Sequence, residues 1–290
     1  MSLLIIYKDS LPSYRIRLPT TAKMTIKISK DIQQLWDYER RLLNHYQQYL
    51  ITLQNIWDTY NKNKNSNGNH GNSVSATSSK NTLAVTCILS MADLIKSVFH
   101  FNFRSNLLTA VIRQLNYRSS AIDDSAITNT ITIRTACCDA IKYVFQNNHQ
   151  GDVTLEATRQ ISKYMKDRQY KHISIQLLQT MYYIPLLVHV DEAVAAIIAT
   201  QVKKKKRKRN SEIAAIESEM KEGSTTVDKI VLAQCQYDAL QIVILMYFRI
   251  LKSISPPSTQ SFISMNNSQY NHSIRDLLPT ALEGLAKLHI

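Results

Sequence analysis

Seven consecutive cations, Lys203, Lys204, Lys205, Lys206, Arg207, Lys208 and Arg209, are the most specific chemical feature of this sequence. Like charges at that density cannot pack, so the tract is expected to be solvated, extended or frayed. Two chemistries suit it. One is a nuclear import signal. The other is salt-sensitive, sequence-independent contact with nucleic-acid phosphates through counterion release. A solubilising linker is the plainer alternative.

Catalytic and metal chemistry find little footing. The eight histidines (His45, His70, His100, His149, His172, His189, His272, His289) are scattered, and none stands in HExxH or His–Cys spacing. His100 lies in the run Phe99-His100-Phe101-Asn102-Phe103 and reads as a helix-end histidine beside core aromatics. Cys87, Cys137, Cys138 and Cys235 form no CxxC. Adjacent cysteines on a helix point about 100° apart, which suits neither a metal pair nor a bridge. Cys137 and Cys138 are therefore expected in the core, with the sparse usage of an intracellular protein. Asp123-Asp124 and Asp191-Glu192 read as helix-start charge. Gly68, Gly71, Gly151, Gly223 and Gly284 fit neither GxGxxG nor GxxxxGK[ST], and GxSxG and the kinase motifs are missing. No catalytic residue, metal site or cofactor is expected. Tyr46, Tyr49 and Tyr60 have the chemistry to stack on bases, but their helical register places them in the core first.

The composition points to the elements that carry these residues. Five Gly and six Pro stand where average usage gives roughly 20 and 15. That shortage excludes turn-dense β-sandwiches and favours helices, with 44% hydrophobic residues to build a core. The 35 Lys+Arg against 22 Asp+Glu make +13, of which the basic tract supplies seven charges, so the remainder is mildly basic. The most apolar stretch, residues 182–199, is interrupted by His189, Asp191 and Glu192, so no membrane span is expected. The apolar start, Leu3-Leu4-Ile5-Ile6, is too short for a signal peptide.

Steps of four and three link Ile28, Ile32, Leu35, Glu39, Leu42, Tyr46, Tyr49, Leu53, Ile56 and Tyr60, with Glu39 as the one break in an apolar stripe. The spacing predicts a long amphipathic helix over 28–60, capped by Ser29 with Asp31 in its first turn. It packs in an α-bundle or solenoid, or pairs as a dimeric coiled coil. Residues 61–81 are Asn/Ser-rich and are expected to be a disordered insertion. Helical-hairpin repeats are predicted over 82–202. The first hairpin has Leu83, Cys87, Ile88, Met91, Leu94, Ile95, Val98 and Phe99 on one helix, a break at 102–105, and Leu107 to Leu115 on the next. Further helices follow over 125–145 (despite the β-leaning Ile131-Thr132-Ile133), 154–166, 174–183 before Pro185, and 191–202. The basic tract and an acidic segment occupy 203–226. A strong helix over 227–253 ends at Pro256-Pro257, and residues 258–272 read as loop. The last element is read as Ser273 to Ile290: Ser273 with Asp276 has capping-box spacing, and Pro279 can sit at the first position of a final helix.

About eight to ten helices in antiparallel pairs suggest an all-α, armadillo/HEAT-like α-solenoid of helical hairpins with disordered insertions. Residues 1–27 read as the tail of a preceding helical repeat plus an extended segment. Residues 227–290 read as helical repeats cut short, with Leu282, Leu285, Ala286 and Leu288 left as an apolar face. Solenoids cap both ends, so the chain is expected to be a fragment, or a truncated gene model, of something longer.

Particular residues go further. Tyr14-Arg15-Ile16-Arg17 within Pro12–Leu18 resembles the PGYRIRPLT segment of the nucleolar complex-associated protein 3 family, with Ser13 in place of Gly. Residues 27–54 are similar to the long helix of that family. Phe101, Asn102 and Phe103 match its PHFNF motif, and Cys137-Cys138 its CCEAVKKLF. Tyr247, Phe248 and Arg249 resemble TYFRILK, and Glu283, Gly284 and Leu285 resemble the LEGLAK segment. The matches run in order over nearly the whole chain. A basic tract followed by an acidic segment occurs at the same place in the family, which has a shorter charged linker in place of residues 61–81.

The resemblance implies a non-enzymatic scaffold of the nucleolus and nucleus, acting in large-subunit (60S) ribosome biogenesis. It implies pairing with a partner of the nucleolar complex protein 2 type, and escort of pre-60S particles, with rRNA contact, within the nucleus. Chromatin binding in DNA replication initiation is the alternative role that it implies. An armadillo-type nuclear transport adaptor is less well supported, because only Trp36 and Trp57 exist and both lie on one helix.

Overall fold

The computed structural model describes residues 11–18, 29–66, 74–118, 124–170, 173–185, 229–254 and 268–287. Among the described residues there are eight α-helices and no strand, as the Gly and Pro shortage predicts. The chain divides into two compact units, Met1–Ile141 and Lys142–Ile290.

The first unit holds α1 (Lys30–Ser66), α2 (Val74–Val98), α3 (Arg104–Gln114) and most of α4 (Asp124–Asn147). Helix α1 packs on α2, and α2 on α3. The Ser29 hydroxyl accepts from the Ile32 N–H at 3.4 Å, and Asp31 lies in the first turn, so α1 starts as its cap residues predict. Its core face differs from the expected stripe. The buried residues are Glu39, Leu43, Tyr46, Leu50, Leu53 and Trp57, while Ile32 and Leu35 are exposed. The two stripes share Glu39, Tyr46 and Leu53 and differ in the intervening step. Packing on α2 selects Leu43, Leu50 and Trp57 four residues on, over Leu42, Tyr49 and Ile56 three residues on, which are only half-buried.

Residues 61–66 and 74–81, read from the sequence as part of an Asn/Ser-rich insertion, are helical. Helix α1 runs on to Ser66, and α2 begins at Val74, leaving residues 67–73 between them outside the described residues. The cost of helix nucleation is already met within α1 and α2, and adding weak formers to an existing helix costs little per residue. The predicted hairpin is present. Helix α2 buries Cys87, Ile88, Met91, Leu94, Ile95 and Val98, and α3 buries Leu107, Leu108, Val111 and Ile112. Ile131-Thr132-Ile133 is helical within α4, where Ile133 is fully buried, so tertiary burial overrides the β preference.

The second unit contains the end of α4, α5 (Asp152–Asp167), α6 (Ile175–Met181), α7 (Lys229–Ile254) and α8 (Ser268–Lys287). Helix α7 packs on α5 and α8, and α8 also packs on α6. Gly151, at φ +76°, begins α5 where a Cβ would come within 2.9 Å of Leu232 Cδ1. Ser174 caps α6 by accepting from the Leu177 N–H at 3.3 Å, and the helix ends ahead of Pro185. Within α7, Val231–Lys252 is long and apolar enough to cross a membrane by length and composition. This stretch buries Val243, Met246, Tyr247 and Ile250, while residues 186–199 of the apolar stretch noted in the sequence lie outside the described residues.

The final helix departs from expectation. It begins at Ser268, so Ser273 is not its start and Pro279 lies inside it. A proline there lacks the N–H for an i−4 bond, and burial of Leu277, Thr280 and Ala281 beside it offsets that loss. The predicted helix over 191–202, the tract Lys203–Arg209 and the acidic segment over 211–222 lie outside the described residues, as does Pro256-Pro257.

Candidate functional site

In the first unit the fold gathers two of the sequence motifs. The break between α2 and α3 is forced at Phe103, whose backbone sits at φ 61°. A bulky residue in the left-handed region is strained, and persists only where its surroundings hold it. Phe101 is fully buried against Tyr46 of α1, with ring centroids 5.4 Å apart, and Phe103 lies 6.1 Å from the same ring. These contacts aim Asn102 at the extended segment of residues 11–18.

Asn102 holds that segment at one residue, Ile16. Its Oδ1 accepts from the Ile16 N–H at 2.9 Å, and its Nδ2 donates to the Ile16 carbonyl at 2.9 Å. Ile16 is buried, while Arg15 and Arg17 are exposed. The Tyr14 hydroxyl donates to Glu39 Oε1 at 2.7 Å, and this bond raises the Tyr14 pKa, with burial second. Glu39, the one break in the apolar stripe of α1, is thus a buried acceptor for Tyr14. The His100 side chain bonds to the Pro12 backbone, which favours its charged form. Burial has the larger opposite effect and lowers its pKa. His100 therefore caps the end of the same segment, next to Phe99 in edge contact. Its helix-end position matches the expectation from sequence.

Cys137 and Cys138 are buried in α4 and unbridged. Burial pushes the Cys137 thiol pKa up, away from the thiolate form that would react. Tyr46 is likewise buried, and Tyr60 packs near Trp57 at 5.6 Å. Among the described residues no group of three or more His, Cys, Asp or Glu is arranged to hold a metal ion.

In the second unit the remaining motifs also meet. Gly284 of α8 lies under the Tyr247 ring, and a Cβ there would stand 2.4 Å from Tyr247 Cζ. The glycine is required for this close approach. Tyr247 is buried, whereas its neighbours Phe248 and Arg249 are exposed, and Arg249 donates to the Tyr170 hydroxyl at 3.3 Å. Tyr182 donates its hydroxyl to the Thr280 carbonyl, and Lys287 Nζ sits 4.2 Å from the Tyr182 ring centroid. Lys287 also pairs with Glu283 at 3.2 Å. Burial, then the nearby Glu283 carboxylate, pushes the Tyr182 pKa up to about 12. Leu285 is half-buried. The motif positions thus divide into anchors (Ile16, Phe101, Cys137, Cys138, Tyr247, Gly284) and residues offered to solvent (Arg15, Arg17, Phe248, Arg249, Glu283). Sequence reasoning gave no role to Glu39, Tyr182 or Thr280. The only signal was Glu39 itself, a carboxylate on an otherwise apolar face.

A family model described as Nucleolar complex-associated protein matches residues 1–49. The chain is 27% identical to the Nucleolar complex protein 3 homolog of Mus musculus, over 99% of this chain and 33% of the mouse protein. It is 33% identical to Nucleolar complex-associated protein 3 of Arabidopsis thaliana, over 57% of this chain and 16% of the plant protein. The Schizosaccharomyces pombe protein of that name is 25% identical over 87% of this chain and 32% of its own length. The chain spans about a third of the length of the curated mouse relative it matches. The names of these relatives support nucleolar and nuclear localisation, and none of the three is an enzyme name. Along nearly all of its length, the chain is similar to proteins named Nucleolar complex protein 3 homolog or Nucleolar complex-associated protein 3.

Proposed function

We propose that this chain is part of a non-enzymatic nucleolar scaffold in large (60S) ribosomal subunit biogenesis. It pairs with a partner of the nucleolar complex protein 2 type during pre-60S maturation and intranuclear transport. One observation carries the reading: similarity to proteins named for a nucleolar complex, in order, across 99% of the chain. The helices are organised as an armadillo/HEAT-like stack in this reading, with faces left open for protein contact. Leu245 and Phe248 on α7, and Leu278 and Leu282 on α8, are apolar side chains exposed to solvent. Exposed apolar residues of this kind mark surfaces that other proteins cover. The tract Lys203–Arg209 supplies import and weak, salt-sensitive contact with rRNA.

Affinity purification of the tagged chain from nucleolar extract tests the proposal. Co-purification of pre-60S particles with a nucleolar complex protein 2 partner is the expected result. Recovery of neither, with the chain intact, overturns it. Chromatin association that survives RNase, without pre-60S recovery, points instead to a role in replication initiation.

A further inference from the structure

We propose that the groove formed by α1 and the turn between α2 and α3 is a receptor site for an extended peptide of a partner protein. Residues 11–18 fill it as a tethered ligand that can leave and be replaced. The proposal stands on the geometry of the groove and is independent of the nucleolar reading.

The groove grips a backbone. Asn102 satisfies both main-chain groups of Ile16, each at 2.9 Å, as a neighbouring strand would. That grip is indifferent to the side chain that follows, so it suits any extended segment. Selectivity comes from two other places. Ile16 is the one side chain of residues 11–18 that is fully buried, which calls for an aliphatic residue. Two residues earlier, Glu39 offers a carboxylate that is itself 6% exposed and accepts from the Tyr14 hydroxyl at 2.7 Å. A buried carboxylate without a donor is costly, so this position calls for a hydroxyl-bearing side chain. Alternate residues of an extended chain share a face, and Tyr14 and Ile16 reach the protein while Arg15 and Arg17 are exposed. The ligand is therefore an extended peptide with tyrosine at one position and an aliphatic residue two positions later.

The same features make the segment replaceable. Its hold consists of one buried side chain and a few polar contacts, and Tyr14 remains 53% exposed. What favours it over a free peptide is its tether, which supplies an effective concentration on the order of millimolar. A partner segment competes once that tethered hold is weakened.

Fluorescence anisotropy with a labelled peptide of sequence LPSYRIRL tests the inference on the full chain. Ile16→Ala weakens the tethered segment and leaves the groove unaltered. That variant should bind the peptide about tenfold more tightly than the unaltered chain. Adding Asn102→Ala should remove about tenfold of that affinity. Tyr14→Phe, which loosens the segment without touching the core, should show the same rise at smaller size, and circular dichroism confirms that each variant is folded. Equal peptide affinity in the unaltered chain and in both loosened variants overturns the proposal. So does affinity that survives Asn102→Ala.

Discussion

At the scale of single residues, Asn102 and Gly284 each fix a contact between distant segments. Asn102 joins its own turn to a segment 86 residues earlier in the chain by bonding both main-chain groups of Ile16. Gly284 admits the Tyr247 ring to a distance that no side chain allows. Gly284→Ala would place a methyl group into that ring and force a shift of α7 or α8. Overpacking of this kind costs about 1–3 kcal/mol. Chemical denaturation should show a loss of that size, and Tyr247→Leu, which withdraws the ring, should shrink the difference between glycine and alanine. A Gly284→Ala chain as stable as the unaltered one would contradict the contact. Gly284 was legible in the sequence as part of a motif, but the reason for it was not. The ring that excludes a Cβ lies on another helix.

At the scale of elements, the long helix α1 is the instructive case. Its existence, its cap at Ser29 and its approximate start were legible, because all depend on residues within a few positions of each other. Its buried face was not, because two stripes share Glu39, Tyr46 and Leu53. The choice between them belongs to α2. Truncation separates the two. Leu43→Ala should destabilise by about 2–5 kcal/mol. Leu35→Ala, on the stripe that is exposed at its start, should stay within about 0.5 kcal/mol. Thermal unfolding of the two variants measures this, and the reverse order would restore the other face. Helix α8 teaches the same lesson. Pro279 reads locally as a helix start, but it lies inside a helix that buries Leu277, Thr280 and Ala281 around it.

At the scale of the whole molecule, charge is concentrated and motifs are dispersed. Seven of the thirteen net positive charges lie in Lys203–Arg209, so one short tract dominates the long-range electrostatics. Replacing all seven with alanine should shift a fluorescent fusion from the nucleus toward the cytoplasm. Unchanged nuclear accumulation in live-cell imaging would remove the import role. The paired motifs behave differently. They bridge Ile16 to Asn102 in one unit and Tyr247 to Gly284 in the other, so each unit is closed by a contact distant in sequence.

The sequence by itself determined what depends on near neighbours. That includes the all-α class of the described residues, the hairpin of α2 and α3, the burial of Cys137 and Cys138, and the likeness to proteins named for nucleolar complex 3. Helical periodicity, scarce Gly and Pro, and capping residues act within a turn or two, so they can be read along the chain. Only the tertiary structure decided which face of α1 is buried, that Glu39 receives Tyr14, and that Asn102 and Gly284 anchor partners on other elements. Those outcomes depend on packing between segments 25 to 86 residues apart. Contacts over such separations form only when the elements dock, and local patterns carry no record of which stripe docks on which.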